Sequence, residues 1–331
     1  MIKLPRLFCA AGLAVAALVV VPTAANAGVA AASTVVRTEA ATRSGVDDFA
    51  ALKAENDAYW TPQRMRDAIP ADKVDVKPST PAEKGSPTGT AAELAAPAKG
   101  QVAANRVAGT TSPPVAQVYA TPTVGKVFFH DESDGKNYVC SGSTINNPAA
   151  NMVSTAGHCV HHGNGGKWHS QWRFVPYYDH GATPYGVWYA HWLTTFNGWS
   201  NSGSYDWDVA FVNVWSNGGS NLINVVGGNG LRVNYPKTVY VTIMGYPAAP
   251  PFDGQWQYFC QGNTYPRWFT DQIGFDCLMT GGSSGGPFFQ DYNDYYGYVN
   301  GVISNGPDTT SYSPYFDTDV ANLYYSVQNL V

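Results

Sequence analysis

From residue 117 onward, apolar and β-branched residues come in short runs broken by Gly, Asn, Pro and Asp, at 125–130, 138–145, 172–175, 187–193, 209–214, 239–245, 286–290 and 296–303. Runs of this length between turn formers predict strands, and no long 3.6-residue periodicity competes with them. Many short strands at close spacing predict an all-β domain, either a sandwich or barrels. One segment, 319–330, predicts a single helix at the end of the chain. Upstream the pattern differs. Val46, Phe49, Ala50 and the stretch 52–59 carry an approximate helical stripe, and Thr61-Pro62 supplies a cap and a first-turn proline for a second short helix over 63–69. Residues 70–116 are rich in Pro, Ala, Thr, Gly and Lys, which predicts an exposed linker open to cleavage.

Composition divides the chain at the same place. Residues 117–331 hold 9 Trp, 20 Tyr and 12 Phe, enough for a large core and for rings lining a cleft. They also hold 7 Lys plus Arg against 14 Asp plus Glu, whereas residues 1–116 hold 12 against 10. An acidic domain without basic clusters argues against nucleic acid or an anionic membrane as a partner. At the amino terminus Lys3 and Arg6 precede an apolar stretch over 10–21 and a small-residue site, Ala25-Asn26-Ala27, the pattern of an export signal. The stretch falls short of the roughly 20 residues that a membrane span needs. The expected organisation is a signal peptide over 1–27, a removable pro-segment and linker over 28–116, and one domain over 117–331, secreted as a monomer. A permanent amino-terminal spacer is the other reading of 28–116.

The chemistry sits in three motifs: Thr155-Ala156-Gly157-His158-Cys159, Asp208-Val209-Ala210-Phe211 and Thr280-Gly281-Gly282-Ser283-Ser284-Gly285-Gly286-Pro287. A serine hydroxyl is a weak nucleophile, so it needs a base within hydrogen-bond reach and a third group that orients the base. His158, Asp208 and Ser284 supply these. Gly281 and Gly282 permit the tight turn that aims backbone N–H groups at a developing oxyanion. Singly, each motif has an ordinary reading as a loop or the start of a strand. Together, in the order His, Asp, Ser with separations of 50 and 76 residues, they resemble the chymotrypsin-like (trypsin-fold) serine peptidases, and within them the secreted bacterial branch that includes the glutamyl endopeptidases. The resemblance covers about residues 117–331.

That resemblance implies two six-stranded antiparallel β-barrels with the active site between them, His158 and Asp208 on the first and Ser284 on the second. It implies a serine endopeptidase acting on protein or peptide substrates, with no cofactor or metal and with an oxyanion hole made by the N–H groups of Gly282 and Ser284. It pairs Cys140 with Cys159, which leaves Cys260 with Cys277. Ser283 and Asp206 are the alternatives to Ser284 and Asp208, and each lacks the flanking residues that match the family. Ser304 falls on the strand that lines the cleft, where its hydroxyl either bonds the triad aspartate or serves only the strand. The cleft candidates are Leu278, Thr280, Ser304 and Tyr315. Leu278 replaces the pocket aspartate of trypsin-like members, and Ile303, Ser304 or Asn305 replaces the histidine of glutamyl endopeptidases, so neither specificity carries over. Tyr315 on the pocket wall would favour smaller apolar residues. Ser283 replaces the aspartate that pairs with a new α-amino group in digestive members, so chains beginning anywhere between residues 107 and 123 should turn over alike.

Two other classes compete. His158, Cys159, His161 and His162 are crowded as metal ligands would be, although adjacent histidines converge poorly on one ion. Trp168, Trp172, Trp188 and Trp192 suggest a stacking platform of a secreted, non-catalytic carbohydrate-binding or peptidase-like module. His161, His162, His169, His180 and His191 read as surface or packing residues.

Overall fold

The computed structural model describes residues 32–40, 48–71, 84, 89–101, 117–118 and 120–331. The expected signal peptide, and residues 72–83, 85–88 and 102–116 of the expected linker, lie outside the described residues. No helix among the described residues is long and apolar enough to cross a membrane.

The segment before the protease-like motifs contributes strands β1 (Val35–Glu39), β2 (Ile69–Pro70) and β3 (Ala92–Ala95), and the helices Phe49–Tyr59 and Pro62–Asp67. The second helix begins at the predicted Thr61-Pro62 cap, and the first begins at Phe49, behind a cap not expected from the sequence. Asp48 accepts from Ala50 N, and Thr61 accepts from Arg64 N ahead of Pro62. After β4 (Gln117–Val118) come β5 (Val124–Asp131), β6 (Lys136–Ile145), β7 (Met152–Thr155), β8 (Ser170–Pro176), β9 (Trp188–Phe196) and β10 (Ala210–Val214). Pairing runs β9-β10-β7-β6-β5-β8 and returns from β8 to β9, so these six strands close a barrel. Alternate side chains face inward. Val127, Phe129, Phe174, Leu193 and Val212 are among those fully buried.

The second half differs from the expected single ring. Strands β11 (Gly230–Val233), β12 (Tyr240–Gly245), β13 (Tyr258–Asn263), β16 (Pro287–Gln290) and β17 (Tyr298–Val302) join β3 and β4 in a seven-stranded sheet. A separate three-stranded sheet contains β14 (Tyr265–Pro266), β15 (Gln272–Asp276) and β18 (Thr310–Pro314). The two sheets enclose one core, with Ile243, Ile273, Phe275, Phe288 and Ile303 buried together. The backbone ladder is interrupted where β17 approaches β18, because the Ser313 hydroxyl accepts the Val302 N–H at 2.9 Å in place of a carbonyl. A helix Thr318–Val327 follows, its first turn capped by Asp317.

Two features of the upstream segment depart from an exposed linker. Ala71 is buried, and Ala92–Ala95 pairs antiparallel with β11. Ala120, Thr121 and Thr123 are also buried, with Thr121 N donating to Gln257 Oε1 at 2.9 Å. Residues 120–123 therefore belong to the fold, so the expected freedom of the amino terminus is confined to residues before 117.

Candidate active site

Strand β7 ends at Thr155 and the chain turns through a single 3-10 turn, Gly157–Cys159, which carries His158. Glycine is required at 157, since a Cβ there would lie 2.8 Å from the Trp199 ring and 2.9 Å from Asp208 Oδ1. Asp208 ends the neighbouring turn just before β10, fully buried. It holds the histidine twice: His158 N donates to Oδ1 at 2.7 Å, and His158 Nδ1 lies 2.8 Å from Oδ2. Ser304 Oγ donates to the same Oδ2 at 2.6 Å. Of the two readings open for Ser304, the structure has the one in which it bonds the aspartate. A carboxylate accepts the Nδ1 proton, so the neutral imidazole keeps its lone pair on Nε2. That atom is buried and has no hydrogen-bond partner among the described residues.

Ser284 stands in the turn before β16. Its carbonyl accepts from Ser141 N at 2.6 Å, and Ser141 lies on β6 of the barrel. Gly285 makes this approach possible: its φ is +80°, and a Cβ would lie 2.1 Å from Thr155 Oγ1 and 2.3 Å from Ser141 O. Ser283 Oγ donates back to Thr280 O at 2.8 Å, which engages that hydroxyl inside the turn. Asp206 is half-buried on the turn Tyr205–Trp207, where burial raises its carboxyl above the usual range.

The turn before Ser284 is held from two sides. Gly281 O accepts from Ala248 N at 2.6 Å. The carbonyl and N–H of a trans peptide point in opposite directions, so this bond turns the Gly282 N–H away from Ala248. Gly282 O accepts from Ser141 Oγ at 2.9 Å, and the same hydroxyl accepts from Tyr246 N at 2.8 Å. Neither the Gly282 nor the Ser284 N–H donates to a protein acceptor among the described residues. The 247–254 loop behind Ala248 is pinned by Lys126 Nζ, which donates to Gly254 O at 2.7 Å. Burial lowers the Lys126 pKa to about 7.

A cavity of about 30 Å³ beside Ser284 is lined by Thr280 and Ser304 among the cleft candidates, together with Met279, Asn305 and Gly306. Leu278 and Tyr315 do not line it. Tyr315 instead donates its hydroxyl to Tyr235 O at 2.7 Å. Held there, the Tyr315 side chain is not part of the lining.

Both disulfides form, Cys140 with Cys159 and Cys260 with Cys277. The sulfurs of Cys140 and Cys159 lie beside His158, but the bridge consumes their thiolates, so they cannot ligate as thiolates. The other histidines diverge: His161 Nδ1 accepts from Gly163 N, and His162 Nδ1 faces Asp131 Oδ2 at 2.7 Å. The tryptophan platform is not formed either. Trp172 and Trp188 are buried in the barrel, with Trp172 Nε1 donating to Cys159 O. Ser141 carries no motif of its own, and only its place directly after Cys140 links it to the site.

The chain is similar to a thermostable serine protease, AL20, from an extremophilic microorganism: identity is 35%, the TM-score 0.61, and the match covers 64% of this chain and 99% of that one. It is similar to the protease Anisep from Arthrobacter nicotinovorans at 36% identity and a TM-score of 0.60, covering 63% and 96%. This chain is a bacterial serine protease of the chymotrypsin-like fold. No family model matches the protease, and no curated protein does. As a member of this family the protease is a serine endopeptidase.

Proposed function

We propose that the protease is made as a secreted precursor and hydrolyses peptide bonds through Ser284, His158 and Asp208, with residues 1–27 as export signal, 28–116 as pro-segment and 117–331 as the catalytic domain. The observation that carries the reading is the double hold of Asp208 on His158, which leaves Nε2 unprotonated and unpartnered in the cleft. Ser284 Oγ attacks the substrate carbonyl carbon while its proton passes to His158 Nε2, and the carbonyl electrons move onto the oxygen. The N–H groups of Gly282 and Ser284 receive that oxyanion. Collapse expels the amine, which takes the proton from Nε2, and water repeats the sequence on the acyl-enzyme. The barrel and the paired sheets are the two lobes between which the substrate lies. No step requires a cofactor.

A fluorophosphonate probe tests the assignment. The processed protease should be labelled and Ser284→Ala should not; labelling that survives Ser284→Ala would overturn the choice of nucleophile.

The cavity beside Ser284 is small, about 30 Å³. Its acidic member, Asp308, is exposed at the rim and places no charge at the base. In a peptide-library digest the protease should cut after small uncharged residues and show no preference for Lys or Arg. Strong cleavage after Lys or Arg would refute this pocket assignment.

Activation should not depend on a new α-amino group. Ser283 offers only a neutral hydroxyl, already bonded to Thr280 O, where an ion-pair switch needs a buried charge. Chains beginning at different positions between 107 and 116 are expected to have similar kcat, unchanged when the α-amine is acetylated. Loss of turnover on acetylation, with the fold retained, would show that the amino group has a role.

A further inference from the structure

The upstream segment is read as a pro-segment, yet its described parts are built into the outer edges of both halves of the protease. Val35–Glu39 pairs in antiparallel register with β9 over five residues, from Val35 opposite Phe196 to Glu39 opposite Trp192. Ala92–Ala95 pairs with β11, where Glu93 meets Arg232 at 2.6 Å. Because β8 pairs with β9 only at Trp188 and Tyr189, the remainder of that side of β9 and the edge of β11 have N–H and C=O groups for these added strands to satisfy.

Between the two strands the segment supplies side chains that the catalytic domain buries. Trp60 is 3% exposed, packs on Phe128 and donates its Nε1–H to Gln171 O at 2.6 Å. Arg173 of β8 is 4% exposed, and its guanidinium donates to Asn56 Oδ1, Asn56 O and Asp57 Oδ1 at 2.7, 2.8 and 3.0 Å. Asp57 also accepts from Tyr189 OH at 2.6 Å. Lys84, its side chain 1% exposed, reaches Asp317 at the start of the last helix at 3.0 Å. Departure of the segment would exchange these three hydrogen bonds for water and uncover the Arg173 guanidinium.

Among the described residues, no hydrogen bond or ion pair joins the segment to His158, Ser284 or the 280–282 turn. The matched proteases are covered almost wholly by 64% and 63% of this chain, so more than a third of the chain has no counterpart in them.

We propose that residues 32–101 are a light chain of the processed protease: once the connection to the catalytic domain is cut, they remain bound across the outer edges of both halves with the cleft open. The proposal rests on the precursor reading, and it is tested separately from it. A recognition sequence for a site-specific endopeptidase is inserted between residues 101 and 117 of the full chain carrying Ser284→Ala, and the protein is cut to completion. Gel filtration at about 1 µM, a concentration at which weaker complexes fall apart, should show both pieces eluting together. Elution of the smaller piece alone overturns the proposal, whether the larger piece stays folded or aggregates. Trp60→Ala in the same protein should weaken retention at least about thirtyfold, as the loss of a buried anchor does, and unchanged retention would refute the interface. The open cleft is read with the active protein cut in the same way. A fluorophosphonate should label the two-chain complex, and labelling only after the segment is stripped would overturn that part. Absence of labelling in both states would count against the triad, and absence of natural processing against the precursor reading.

Discussion

Replacing Ser284 with alanine is expected to lower kcat for peptide hydrolysis by about 10⁴- to 10⁶-fold and to leave the fold intact. Ser284 Oγ makes no hydrogen bond to protein among the described residues, so its removal strands no buried partner. His158→Ala should cost about as much. Asp208→Asn should cost about 10⁴-fold, because an amide in place of Oδ2 favours the wrong imidazole tautomer. Three groups acting in one proton transfer cannot lose the same function twice. The double variant Ser284→Ala, His158→Ala should therefore fall little further than the worse single one, leaving about 10³- to 10⁴-fold catalysis over water. Single-turnover rates on a chromogenic peptide, with circular dichroism as the control for folding, provide the check. Losses that multiply would show that the residues act independently.

Ser141→Ala should lower kcat by about 10- to 100-fold with little change in KM. Removing an oxyanion donor outright costs about 10²- to 10³-fold, and Ser141 acts one step back, by fixing the Gly282 carbonyl and so the peptide planes on either side. The substitution also leaves the Tyr246 N–H without its acceptor, which should cost about 1–3 kcal/mol of stability. A purely structural role would lower Tm yet leave kcat unchanged well below it. The positioning role predicts a kcat loss at 25 °C that is constant across pH, since no titrating group is removed. Unchanged kcat would refute it.

The proposed triad was legible because each of its three residues lies in a short local signature whose glycines answer to contacts across the fold, as Gly285 does against Thr155 and Ser141. Strands with strong apolar runs were legible for a related reason: 138–145 and 239–245 fall within β6 and β12 almost residue for residue. Strands β13 and β18 were not, because Gln261 and Asn263 face outward and Thr310–Pro314 mixes hydroxyl residues with proline. The upstream strands were hidden more deeply. Ala92–Ala95 has no β propensity of its own, and what makes it a strand is the edge of β11 that receives it. Ser141 was invisible for the same kind of reason, since its role depends on a turn 141 residues away.

The bridge between Cys140 and Cys159 joins the residue before Ser141 to the residue after His158. One covalent bond thus spans the supports of both the base and the oxyanion turn, and Cys159 Sγ also lies 3.7 Å from Ser284 O. Cytosolic thiols are kept reduced, whereas oxidising compartments let the bridge persist. A chain retained inside the cell that makes it would lack this tie, with its base and its oxyanion turn loosened together. In a chain exported as proposed, the same bond would set them in place outside the cytosol, so that proteolysis would begin only there.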